Sequence, residues 1–134
     1  YPENKKFAFK CKKKKINFIQ LVSPTTIKSR LKQIIKDSHD MIYYISMLST
    51  TGGKLKVSPK KILREYFKLK KYSKTKNIVI GFGITKKTIN SLRKADGLVV
   101  GSAICNEITK SIKKGQNAVT NVTKLVLSLK NKIK

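Results

Sequence analysis

Short runs of β-branched and aromatic residues alternate with longer stretches in which apolar residues recur every three or four positions, and this alternation fills nearly all of the 134 residues. The first periodic stretch, from Pro2 to about Lys14, places Phe7, Ala8 and Cys11 on one helix face and closes on a lysine cluster, Lys12 to Lys15, that suits a helix C-terminus. A strand is expected from Ile16 to Val22. The turn Ser23-Pro24-Thr25-Thr26 then leads into a helix whose apolar face is Ile27, Leu31, Ile34 and Ile35. Met41 to Met47 reads as a second strand, opening into the polar loop Ser49-Thr50-Thr51-Gly52-Gly53. Ser58 followed by Pro59 predicts an N-cap and first helical position, with Ile62, Leu63, Tyr66 and Phe67 as the buried side. A third strand, Asn77 to Phe82, gives way at Thr85 to a helix burying Ile89 and Leu92. The fourth, Gly97 to Val100, runs into a short helix beginning near Ser102, and Val119, Val122, Leu125, Val126 and Leu129 form the stripe of a closing helix.

Strand-helix alternation of this kind implies parallel strands joined by right-handed crossovers. Four βα units are visible, half of an eight-stranded βα barrel, which usually needs about 250 residues. A self-contained open α/β sheet is the alternative. Tyr1-Pro2-Glu3-Asn4 has the look of a strand exit entering a helix, so the expectation is a chain that lacks its beginning, which favours the half-barrel.

A net charge of +26 raises the question of nucleic acid. Nearly all of the positive charge is lysine, with Arg30, Arg64 and Arg93 as the arginines, although arginine is the residue that reads phosphates and guanine edges bidentately. The lysines spread over every predicted helix. No specific nucleic-acid partner is therefore expected, and a basic binding module without catalysis stands as an alternative. Cys11 and Cys105 lie far apart with no metal-ligand spacing, which reads as two buried thiols rather than a zinc site or a disulfide framework. No apolar run is long enough for a membrane span. The expectation is a soluble, cytoplasmic protein with no membrane partner.

The candidate chemistry sits at two glycine-marked strand ends, Ile78-Val79-Ile80-Gly81-Phe82-Gly83-Ile84 and Leu98-Val99-Val100-Gly101-Ser102-Ala103-Ile104. Neighbouring parallel strands that both finish on such turns, one of them opening a helix, present backbone amides to an anion, and a small phosphate ester is the natural occupant. Glycines here could instead serve only close packing of helix on strand.

Taken in order, Leu21-Val22-Ser23-Pro24-Thr25-Thr26, Ile42-Tyr43-Tyr44-Ile45-Ser46 followed by Thr51-Gly52, Gly81-Phe82-Gly83-Ile84, and Ala95-Asp96-Gly97-Leu98-Val99-Val100-Gly101-Ser102-Ala103-Ile104 resemble the C-terminal half of the tryptophan synthase alpha subunit. The two glycine motifs alone are shared by many phosphate-binding barrels; the combination with Pro-Thr-Thr, Tyr-Tyr-x-Ser and Thr-Gly is specific. The resemblance implies an aldolase-type TIM (β/α)8 barrel that cleaves indole-3-glycerol phosphate to indole and glyceraldehyde 3-phosphate. It also implies a beta subunit that receives the indole and carries the pyridoxal phosphate, leaving this chain without a cofactor or metal of its own. Under the same resemblance Gly52, Gly83, Gly101 and Ser102 hold the substrate phosphate, Tyr43 and Phe82 line the indole and triose pocket, and Thr51 belongs to the loop that closes over the site. Another phosphate-binding barrel enzyme is the neighbouring alternative.

Cleavage of the indole-glycerol bond needs a proton delivered to indole C3 and another removed from a glycerol hydroxyl, work for a pair of carboxylates. The chain offers Glu3, Asp37, Asp40, Glu65, Asp96 and Glu107. Asp37, Asp40 and Asp96 precede strands, Glu65 and Glu107 lie within helices, and only Glu3 follows a strand end. The resemblance places both catalytic carboxylates in the first half of the barrel, so none is assigned here, and the isolated chain is expected to be inactive.

Overall fold

The computed structural model describes residues 5–46, 57–81 and 83–133. Helices α1 (Lys5–Lys13), α2 (Lys28–Asp37), α3 (Pro59–Tyr72), α4 (Ser102–Lys113) and α5 (Ala118–Lys130) accompany strands β1 (Gln20–Val22), β2 (Met41–Ile45), β3 (Asn77–Gly81) and β4 (Gly97–Val99). The strands form one parallel sheet in the order β1-β2-β3-β4, with Leu21 opposite Tyr43, Tyr43 opposite Val79, and Val79 opposite Gly97. Sequential order without a reversal is the winding of a βα barrel; a doubly wound sheet changes direction at a switch point.

Alternate side chains decide which face is covered. Val22, Ile42, Tyr44, Ile78 and Ile80 are buried in one cluster with Leu31 and Ile34 of α2, Ile62 and Tyr66 of α3, and Leu125 and Leu129 of α5. The opposite face carries Leu21 and Val99, 58% and 39% exposed. That is the face a closed barrel would turn inward. The 134-residue chain on its own is accordingly expected to self-associate through this surface and its edge strands, and size-exclusion chromatography with light scattering should show dimers or larger species. A monodisperse monomer would contradict that reading of the uncovered face.

Local signals explain most boundaries. Ser58 caps α3, its hydroxyl accepting from the Lys61 amide, and Pro59 takes the first helical position as expected. Asn117 caps α5 in the same way, accepting from the Thr120 amide. Every helix carries lysine in its last turn, and Lys76 donates to the carbonyls of Ile35 and Ser38 at the end of α2. These last-turn lysines sit where helix dipoles favour positive charge.

Several expectations need correction. The first strand is shorter than 16–22: α1 closes through Lys15, at φ +56°, and a bond from the Ile16 amide to the Cys11 carbonyl, and pairing with β2 begins only at Gln20. The helix expected from Thr85 is a set of turns ending in a single 3-10 turn at Asn90–Leu92, because the Thr85 and Thr88 hydroxyls compete for local backbone groups. Ile89 and Leu92 are nonetheless buried. Phe67, Val119 and Val126 are exposed rather than core. Phe67 packs edge-on against Tyr66, and Leu125 and Leu129 alone carry α5 into the core. Cys11 is buried as expected, whereas Cys105 is exposed. The expected loop at 49–53 lies outside the described residues.

Candidate phosphate site at the strand C-termini

β3 and β4 run side by side with Gly81 opposite Val99, so the turns that follow them leave the same edge of the sheet. Each turn is shaped by its own chemistry. Gly83 sits at φ +70°, a left-handed conformation that suits glycine, and its carbonyl accepts from the Thr88 hydroxyl at 2.7 Å. The Thr85 amide in turn donates to Thr88 Oγ1 at 2.9 Å, so a pair of threonines holds the turn in shape. Their Thr-x-x-Thr spacing is visible in the sequence, but its role was not anticipated.

After β4, Gly101 is the N-cap of the 12-residue α4. It offers no side chain to the first-turn amides, while its carbonyl accepts from Ile104 and Cys105. The leading N–H groups of α4 thus stay available to an external acceptor at the positive end of the helix dipole. A Cβ placed on Gly101 would meet no atom within 4 Å. Packing within the described residues therefore gives no reason for glycine at this position.

Gly81 behaves differently. A Cβ on it would lie 1.8 Å from the Tyr43 hydroxyl oxygen, so glycine is needed there to let the tyrosine lie across the strand. Its part is to make room for Tyr43. Burial raises the Tyr43 pKa above its ordinary value, which keeps the hydroxyl protonated and able to donate. Ser46 fixes the neighbouring strand end: it is buried and donates from Oγ to the Gly81 carbonyl at 2.8 Å. Gly81→Val is expected to displace the Tyr43 ring and cost about 1–3 kcal/mol of stability. Chemical denaturation together with tyrosine fluorescence checks both effects.

The structure brings Tyr43, Gly83, Gly101 and Ser102 to the C-terminal end of one sheet. Thr51, Gly52 and Phe82 lie outside the described residues. The described carboxylates are elsewhere. Asp96 begins β4 from the opposite end, accepting from the Ile78 amide at 2.8 Å and from Lys70 Nζ at 2.7 Å. Asp37 accepts from Gln33 near the foot of α2, and the Asp40 carbonyl accepts from the Asn77 amide where β3 starts. Glu65 pairs with Lys68 on the outside of α3. Among the described residues no group of three or more His, Cys, Asp or Glu side chains is placed to hold a metal ion.

Comparison with known proteins bears on the family and the fold. The family model for the tryptophan synthase alpha chain matches residues 1–134. A tryptophan synthase alpha chain from Pelagibacter ubique is 77% identical over 133 residues, covering 99% of this chain and 50% of that protein. One from Aquifex aeolicus is 34% identical over 125 residues, covering 89% and 44%. Among solved structures, tryptophan synthase subunit alpha from Legionella pneumophila superposes with a TM-score of 0.84 at 25% identity, over 98% of this chain and 48% of its own. A Mycobacterium tuberculosis tryptophan synthase structure, at 18% identity and a TM-score of 0.76, shares the fold. The chain thus spans about half the length of the curated relatives it matches. Its sheet order, glycine-marked strand ends and match along all 134 residues lead to one conclusion: this chain belongs to the tryptophan synthase alpha chain family.

Proposed function

We propose that this chain supplies the phosphate-binding part, the C-terminal half, of a barrel that cleaves indole-3-glycerol phosphate to indole and glyceraldehyde 3-phosphate. The observation that carries the reading is the shared edge of the two glycine turns, with open space within 4 Å of a Cβ built on Gly101 among the described residues. In this role Gly83, Gly101 and Ser102, joined by Gly52, surround the ester phosphate with backbone amides and a hydroxyl. Anchoring that group holds the glycerol chain in register for bond cleavage, so binding energy remote from the reacting carbon is used to position it. Tyr43, held across Gly81, and Phe82 bound the triose and indole, and Thr51 lies on the loop that closes over them.

The chemical step breaks the bond between indole C3 and the glycerol carbon, with a proton added to C3 and one removed from the neighbouring hydroxyl. The described carboxylates sit at the foot of the sheet or on helices, so both proton transfers fall to the rest of the barrel. The 134-residue chain alone is then inactive. The proposed enzyme needs no cofactor of its own, works in the cytoplasm, and hands indole to a pyridoxal-phosphate-bearing beta subunit. In the described residues no helix is long and apolar enough to cross a membrane.

A chimera tests this directly. Joining the unmatched half of the Pelagibacter ubique relative to this chain is expected to give a folded barrel that releases indole from indole-3-glycerol phosphate. A chimera with cooperative unfolding and no indole release would overturn the proposal.

A further inference from the structure

The turn after β3 is tied together by the hydroxyl of Thr88, which donates to the Gly83 carbonyl at 2.7 Å and accepts from the Thr85 amide at 2.9 Å. A hydroxyl has a single proton to give, and here it goes to the shorter contact. The Thr85 hydroxyl, 3.2 Å from Thr88 Oγ1, lies close enough to donate to it in turn. Among the described residues no other group donates to the Gly83 carbonyl. Both ends of this link are anchored in the core. Ile84 and Ile89, which follow Gly83 and Thr88 in the chain, are 3% and 2% exposed and belong to the buried cluster.

Glycine loses more backbone freedom on being fixed than any other residue, and Gly83, at φ +70°, has no side chain of its own to hold that conformation. The bond from Thr88 supplies the restraint from outside. Because the peptide is planar, a fixed Gly83 carbonyl also fixes the direction of the Ile84 N–H on its opposite side. We propose that Thr88 is a positioning residue for the phosphate ester, its hydroxyl setting the Gly83 turn in the binding conformation before the anion arrives. This role rests on the phosphate site proposed above and adds to it a side chain that acts only through the backbone. With the bond in place, the ordering of the glycine is complete before binding and does not weaken it. Without the bond, the anion has to order the turn itself, and affinity falls by that cost.

The test is calorimetric titration of the chimera with glycerol 3-phosphate, below the melting temperature of every variant. Thr88→Val keeps the branched shape but not the hydroxyl, and is expected to weaken binding about 5- to 10-fold. Thr88→Ser keeps the donor and is expected to stay within about 2-fold of the parent. A purely structural threonine would change the melting temperature and leave the affinity of the folded variant alone. Equal affinity in parent and Thr88→Val would therefore overturn the proposal, and so would a serine variant as weak as the valine one. A measurement on the unliganded parent needs no variant: 15N relaxation is expected to give Gly83 and Ile84 order parameters near the rigid value of about 0.85, and values under about 0.6 would overturn the proposal. Should Thr88→Val fail to fold, those order parameters decide the matter. A folded parent chimera that does not bind glycerol 3-phosphate would overturn the phosphate site itself and the role of Thr88 with it, whereas a parent that binds no better than Thr88→Val overturns the role of Thr88 alone.

Discussion

Replacing Gly101 by valine is expected to lower the affinity of the complete barrel for a phosphate ester by on the order of 100-fold while barely touching the fold. The asymmetry follows from the surroundings of that residue. A Cβ there meets nothing within 4 Å among the described residues, so the branch point of the new side chain has room. At the N-cap of α4, valine is a poorer choice than glycine, which costs up to about 1 kcal/mol of helix stability. A branched side chain in the cradle keeps a phosphate from the leading amides of α4. Losing one or two charge-assisted hydrogen bonds, at about 1.5–3 kcal/mol each, corresponds to at least a tenfold loss and comfortably reaches a hundredfold. Calorimetric titration of the chimera with glycerol 3-phosphate, beside a thermal melt, separates the two effects. Unchanged phosphate affinity would remove Gly101 from the site.

Asp96→Ala is expected to act the other way, on stability before function. Its carboxylate, 22% exposed, ties three elements at the foot of the sheet, binding the Ile78 amide of β3 and Lys70 of α3 from the start of β4. The backbone amide of Asp96 donates to the Tyr66 hydroxyl at 3.1 Å, adding a second tie to α3. Removing the carboxylate leaves a part-buried amide without its acceptor and takes from Lys70 its ion-pair partner, at a cost of about 2–3 kcal/mol once solvent screening is allowed for. Partial burial pushes the Asp96 pKa up, but the bonds from the Ile78 amide and Lys70, with the Lys70 charge, outweigh it and leave the net value lowered. A carboxyl whose folded pKa lies below its unfolded one stabilises the protein fully above the ordinary aspartate range, and that contribution disappears as pH falls through the lowered value. Urea midpoints of the parent chain should therefore be flat in this respect from neutral pH to about 5 and fall below about 4. The alanine variant starts lower and falls less steeply. Glu65, lowered mainly by its bond to Lys68, titrates in both proteins and cancels from the comparison. Parallel curves for the two proteins would show that Asp96 is not the tie described.

Much of the fold was legible because its signals are local. The β-branched runs at 41–45 and 77–81, the Ser58-Pro59 start of α3 and the helix opening at Ser102 each follow from neighbouring residues, and each stands where expected. What escaped were features set by distant partners. The first strand begins where β2 can pair with it, not where its apolar residues begin. The exposed face of α5 depends on how little of that helix reaches the sheet, which its periodic stripe does not reveal. At the candidate site the glycines at 83 and 101 were visible as motifs. The reason for Gly81, a tyrosine lying across it from the next strand, exists only in three dimensions. Asp96 had been read as distant from the site, and it is, but its bonds from β4 to β3 and α3 were hidden for the same reason.

Backbone amides report the central claim with the least intervening inference. In a 15N-labelled chimera titrated with glycerol 3-phosphate, the amides of Gly83, Gly101 and Ser102 are expected to shift together along one saturation curve and to exchange more slowly with solvent when bound. Saturation of the ligand elsewhere, with those three amides unmoved, would contradict the account.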